Sequence, residues 1–178
     1  GQFYDDFHQT SDEEVAELLA RSRAQAASAD AAPGPTARDD EVTVAAGGIP
    51  LGGHLTVPAD ARGLVLFAHG SGSSRHSPRN QFVAGVLNRA GIGTLLLDLL
   101  TPGEAESRQN VFDIDALQRR LVLATRWLAI ELRPAEPPLG YFGASTGVAA
   151  ALWAATDPGV DVAAVVSRGG RPDLAGPR

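Results

Sequence analysis

Pro138-Leu139-Gly140-Tyr141-Phe142-Gly143-Ala144-Ser145-Thr146-Gly147-Val148-Ala149-Ala150-Ala151-Leu152-Trp153-Ala154-Ala155 is the stretch whose reading decides the fold. Leu139 to Phe142 has the character of a short buried strand entered from the breaker pair Pro137-Pro138, and Val148 onward reads as an alanine-rich helix. Ser145 therefore falls where a strand turns directly into a helix, and Gly143-Ala144-Ser145-Thr146-Gly147 matches the Gly-x-Ser-x-Gly pattern of a nucleophile elbow. So sharp a turn crowds neighbouring Cβ atoms, and the positions two before and two after the serine must leave room. The bare string is weak evidence, since a glycine-rich turn with a solvated serine would match it equally; the strand before and the helix after give it weight. In that setting the first N–H groups of the helix point at any negative oxygen forming beside Ser145.

Working outward, the chain reads as an alternation. Glu41 to Ala46 and Ile49 to Val57 flank Gly47-Gly48 as an antiparallel hairpin. Gly63 to Ala68 is a buried strand, Ser77-Pro78 caps a helix carrying Phe82, Val83, Val86 and Leu87, and Ile92 to Leu100 is a further buried strand. Thr101 to Asn110 reads as a polar loop. Asp113 to Arg133 is the longest helix, with Leu117, Leu121, Ala124 and Leu128 on its apolar face and Arg119, Arg120 and Arg126 mostly elsewhere. Val162 to Ser167 is one more buried strand. From residue 63 on, strand and helix alternate, which predicts an α/β fold with a mostly parallel sheet and helices on both faces. Residues 1–40 stand apart: Ser11-Asp12-Glu13-Glu14 is a capping box for a helix to about Ala27, and Ser28 to Asp40, with Pro33, Gly34 and Pro35, reads as a linker to a domain over 41–178.

The chain has 178 residues, a net charge of −6 and no basic cluster, which argues against nucleic acid or an anionic membrane surface as the main partner and leaves a small-molecule substrate. It has no Cys, so disulfides, thiolate metal sites and a cysteine nucleophile are excluded. All 15 cationic residues are Arg, so a lysine-dependent phosphate loop or Schiff base is excluded too. No cofactor is expected. No apolar run is long enough for a bilayer and no signal-peptide pattern opens the chain, so the expected location is cytoplasmic. The absence of an initiator Met gives the expectation of a fragment.

In a parallel sheet ligands gather at the carboxyl ends of the strands, so His69-Gly70-Ser71-Gly72-Ser73-Ser74-Arg75-His76 is expected to share a crevice with Ser145. The N–H groups of Ser71 and Thr146 are the candidate oxyanion hole, and Arg75-His76 the candidate contact to an anionic part of a substrate, or else a solvated pair before a helix cap. Gly70-Ser71-Gly72 also begins like a dinucleotide loop, but Arg75 stands where the third Gly belongs. His69 is expected to brace backbone, and Asp98 to cap or brace a loop or to orient a partner. His8 and His54 receive no role.

Three separated motifs resemble the dienelactone hydrolase-like branch of the α/β-hydrolases: Phe67-Ala68-His69-Gly70-Ser71-Gly72-Ser73-Ser74-Arg75-His76, Leu97-Asp98-Leu99-Leu100-Thr101-Pro102, and Gly140 to Gly147. The resemblance covers about residues 41 to 176 and implies hydrolysis of an ester, lactone or thioester through an acyl-enzyme, with Ser145 in place of the Cys of typical dienelactone hydrolases. It also implies a triad in the order Ser, Asp or Glu, His. All four His, at 8, 54, 69 and 76, precede Ser145. The resemblance thus implies two further strands after Arg178 that carry the acid and the base. That predicts very low turnover by residues 1–178 alone, and an open edge at Val162 to Ser167 that favours self-association. Tyr4-Asp5-Asp6-Phe7, Gln9-Thr10 and Asp12-Glu13-Glu14-Val15 are similar to the C-terminus of type I phosphoribosyltransferase domains, which gives a second expectation: a non-catalytic structural or ligand-binding module fused to such a domain.

Overall fold

The computed structural model describes residues 36–133 and 137–176. Leu64–Ala68 (β3) and Gly93–Leu97 (β4) alternate strictly between two apolar layers. Leu64, Leu66, Ala68, Leu95 and Leu97 face one layer with Tyr141, while Phe67 and Leu96 face the other, where Val65 and Phe142 also pack. A strand buried on both faces needs apolar residues at every position, which is why these segments read as continuous Leu/Val/Phe runs.

Six strands form one sheet in the order β1-β2-β4-β3-β5-β6. Thr36–Ala46 (β1) and Ile49–Pro58 (β2) form the expected hairpin, and β2 pairs antiparallel with β4. The pairs β4/β3, β3/β5 (Leu139–Ala144) and β5/β6 (Ala164–Arg168) are parallel. On one face lies Pro78–Arg89 (α1), whose Ala84 packs on Phe67 and Leu96. Ile114–Glu131 (α4) and Thr146–Ala155 (α5) cover the other face. Ser77 caps α1 by accepting the N–H of Asn80 at 3.4 Å, with Pro78 in the first turn, and Asp113 caps α4 by accepting that of Ala116 at 2.9 Å. The whole of Leu117, Leu121, Ala124 and Leu128 is buried, as the helical spacing requires.

Four expectations change. β1 begins at Thr36, so five residues read as linker are strand, paired with β2 from Pro58 onward. The polar loop at 101–110 holds two helical turns, Pro102–Ala105 (α2) and Arg108–Val111 (α3), the first set by a capping box between Thr101 and Glu104. Arg120, expected away from the apolar face, is buried: it donates to Leu99 O at 2.8 Å and holds Glu104 bidentately at 2.9 and 2.5 Å. β6 is not buried; Val166 is 52% exposed, because among the described residues only β5 pairs with this strand. The expected helix at 11–27 lies outside the described residues.

Candidate active site

Ser145 has φ 50° and ψ −124°, and it is the one described residue other than glycine with a positive φ. An L-residue pays about 1–3 kcal/mol for such a conformation, which persists only where the surroundings impose it. Here they do. A Cβ at Gly143 would stand 2.7 Å from Cα of Val148, and one at Gly147 would strike Ala68 O and come within 2.7 Å of His69 O. The two glycines let the strand fold back onto the helix and let the helix start press against the carboxyl end of β3. Ser145 O accepts N–H groups from Val148 and Arg171, both at 3.2 Å, so the segment after β6 ties into the same turn.

The loop after β3 comes up against the serine at Gly70. A Cβ there would lie 2.6 Å from Ser145 Cβ and 3.4 Å from Oγ. Ser71 follows as an exposed residue in a turn closed by Ser73 N–H to Gly70 O at 3.2 Å, and Thr146, buried, opens α5. The structure thus brings Ser145, Thr146 and Gly70 together at the carboxyl ends of β3 and β5, with Ser71 next in the chain.

Arg75 and His76 go elsewhere. They line a groove with Glu41, His54, Gln81 and Thr94, on the side of the sheet that α1 covers, and Ser145 is not in it. Arg75 donates its backbone N–H to Asp98 Oδ1 at 2.6 Å, its Nη1 to Asp98 Oδ2, and its Nε to Glu41 Oε2 at 3.2 Å. Burial lowers the guanidinium pKa, but the hydrogen bond and charge of Asp98, with Glu41 behind, raise it on balance. The expected substrate contact is therefore a side chain already spent on two carboxylates, and Asp98 braces a loop.

The rings of His69 and His54 are likewise engaged. His69 Nδ1 donates to Gly70 O at 2.9 Å while Nε2 accepts the N–H of Leu99 at 3.0 Å, which fixes the tautomer and braces the loop. His54 lies between Glu41 at 3.0 Å and Asp39 at 2.8 Å. Burial lowers its pKa, and the hydrogen bonds it donates to both carboxylates, with their charge, more than offset that, so it stands above the ordinary imidazole value. His76 contributes its backbone N–H to Ser74 Oγ at 3.2 Å.

Sequence reading passed over Arg168. It ends β6 opposite Ala144, one strand from Ser145, with its guanidinium 5.8 Å from the Phe142 ring centroid and Nη2 3.4 Å from Asn80 Oδ1. Its Nη1 is buried with no partner among the described residues. The signal was its place at a strand tip. A separate hollow lies at the opposite ends of the strands, lined by Leu64, Pro138, Leu139 and Gly159 among others.

This sheet order, with a strained serine between β5 and α5, is the α/β-hydrolase fold. Among solved structures, a dienelactone hydrolase from Anabaena variabilis matches with a TM-score of 0.73 and 54% identity over 78% of this chain and 66% of that one. A lidless α/β serine hydrolase from Xanthomonas campestris matches with a TM-score of 0.61 and 22% identity, over 74% of this chain and 61% of that one, which shows the fold alone. The structural neighbours are thus dienelactone hydrolase-like and esterase-type α/β-hydrolases. Curated proteins of Mycobacterium tuberculosis, provisionally named phosphoribosyl transferases, are 60% identical over 99% of this chain. The chain spans about 40% of the length of these relatives. No family model matches. No helix among the described residues is long and apolar enough to cross a membrane.

Proposed function

We propose that the protein is a serine hydrolase acting on an ester, lactone or thioester. Ser145 Oγ attacks the carbonyl carbon and gives its proton to a base; the N–H groups of Ser71 and Thr146 hold the oxyanion. Collapse expels the alcohol or thiol, which takes that proton. Water then cleaves the acyl-enzyme to a carboxylic acid and restores the serine. The observation that carries this reading is the strained backbone of Ser145 at a strand-to-helix turn, packed against Gly70. The 54% identity to a dienelactone hydrolase supports it. Both ring nitrogens of His54 and His69 are engaged, so the general base is supplied by a residue other than these two. The test is labelling of the full gene product with a fluorophosphonate: adduct mass on Ser145, lost in Ser145→Ala, is expected, and labelling elsewhere or none overturns the assignment.

A second reading is favoured by the name of the 60% identical relatives: the α/β-hydrolase domain serves a fused phosphoribosyltransferase as a structural or binding module. It requires that the full gene product transfer phosphoribosyl groups and that Ser145→Ala leave every activity intact.

A further inference from the structure

The segment Gly70-Ser71-Gly72-Ser73-Ser74 has no apolar side chain to anchor it, Ser71 and Gly72 are exposed, and Gly72 has φ 69°. A loop of this composition samples many conformations unless its ends are held. Yet an oxyanion donor works only when it is fixed before the charge develops. Both ends of this loop are tied to the tip of β4. At one end His69 Nε2 accepts Leu99 N–H at 3.0 Å. At the other, Asp98 takes the backbone N–H of Arg75 at 2.6 Å on one carboxylate oxygen and the guanidinium on the other.

We propose that Asp98 and Arg75 are positioning residues, a latch that holds the Ser71 amide in place for the reaction at Ser145; this rests on the hydrolase reading above. Three observations carry it. The pair is largely withdrawn from water, with side-chain exposures of 24% for Arg75 and 16% for Asp98, so removing either partner leaves the other charge poorly solvated. A second carboxylate, Glu41 on β1, receives Arg75 Nε at 3.2 Å and is itself bonded to His54 on β2, so the latch is anchored to the hairpin as well as to β4. Finally, the guanidinium lies over Gly52 on β2: a Cβ there would come within 2.7 Å of Arg75 Nη1 and 3.5 Å of Asp98 Oδ2, so the strand leaves the space the pair occupies.

The experiment uses the full gene product with p-nitrophenyl acetate as substrate, and compares Asp98→Ala, Asp98→Asn and Gly52→Ala. Asp98→Ala should lower kcat about 10- to 100-fold with KM within about twofold, because a transition-state donor is loosened while ground-state binding is untouched. Asp98→Asn should lose less, since its amide oxygen still accepts the Arg75 N–H, and Gly52→Ala should lower kcat with both charges present. In parallel, amide hydrogen exchange over 71–75 should accelerate about tenfold or more while exchange over 146–151 stays as in the parent. Unchanged exchange over 71–75 overturns the latch even in a parent that does not turn over, as does a loosened loop with kcat within twofold of the parent. A parent with neither turnover nor a Ser145 adduct overturns the hydrolase reading instead. Should Asp98→Ala fail to fold, the other two variants decide.

Discussion

Gly70 and Ser145 stand so close that a methyl group on the first would lie 2.6 Å from Cβ of the second and 2.9 Å from Ala144 O. Neither obstacle is the free end of a flexible side chain. Gly70→Ala must therefore push the β3 loop away from the elbow. The expected outcome is a loss of esterase activity of about 10²-fold, the cost of displacing a reacting group by about 1 Å, with a destabilisation of about 1–3 kcal/mol. Steady-state kinetics and thermal melting of the full gene product check both.

Ser145→Gly separates stability from activity. Glycine adopts φ 50° freely, so about 1–3 kcal/mol of strain is relieved, against about 0.5–1 kcal/mol for the added freedom of the unfolded chain. The variant should melt about 2–4 °C higher and carry no hydrolytic activity. A melting temperature below that of the parent would show that the turn is not strained.

Glu104 governs the response to acid. Hydrogen bonding from Arg120, helped by the N–H and hydroxyl of Thr101, outweighs partial burial and lowers its carboxyl from 4.5 to about 2. Its stabilising effect is fully present above about pH 4.5 and is lost as pH falls towards about 2. Glu104→Gln leaves the buried Arg120 without a countercharge and should cost about 1–3 kcal/mol at pH 7. Denaturant melts of parent and variant should converge near pH 2; a constant gap would show that ionisation is not the source.

The Tyr141 hydroxyl meets Thr125 Oγ1 at 2.6 Å in the core. Thr125 donates its own proton to Leu121 O at 2.9 Å, so Tyr141 is the donor of the pair. Thr125→Val strands a buried hydroxyl and should cost about 1–3 kcal/mol, whereas Tyr141→Phe removes donor and need together and should cost about 1 kcal/mol. Urea unfolding of the two variants reads the order directly. Burial also pushes the Tyr141 phenol up to about 12, so stability should fall as pH rises from about 10 to about 12.

Much of this was legible in the chain because its signals are local. Gly143 and Gly147 flank Ser145 at the spacing the tight turn demands, and the atoms they would strike are those of the elbow and of β3 itself. Ser77-Pro78 and Asp113 announced the helix starts they cap. What escaped depends on distant partners. Thr36-Ala37-Arg38-Asp39-Asp40 has no apolar alternation and is strand only because β2 offers it an edge. Arg75 looked like a free cation before a helix, but its partners are Asp98, 23 residues away, and Glu41, 34 away. Thr101-Pro102-Gly103-Glu104 carries the spacing of a capping box, but the polar residues around it hide the helical turn among loop signals.

The carbonyl of Ser145 is shared between its own helix and the returning chain at Arg171. The torsion of the proposed nucleophile is thereby coupled to the trajectory of a segment some 25 residues downstream. Drift in that trailing peptide, from a neighbouring element or a substitution, would reach the Ser145 hydroxyl through a single backbone contact, with no side chain as intermediary.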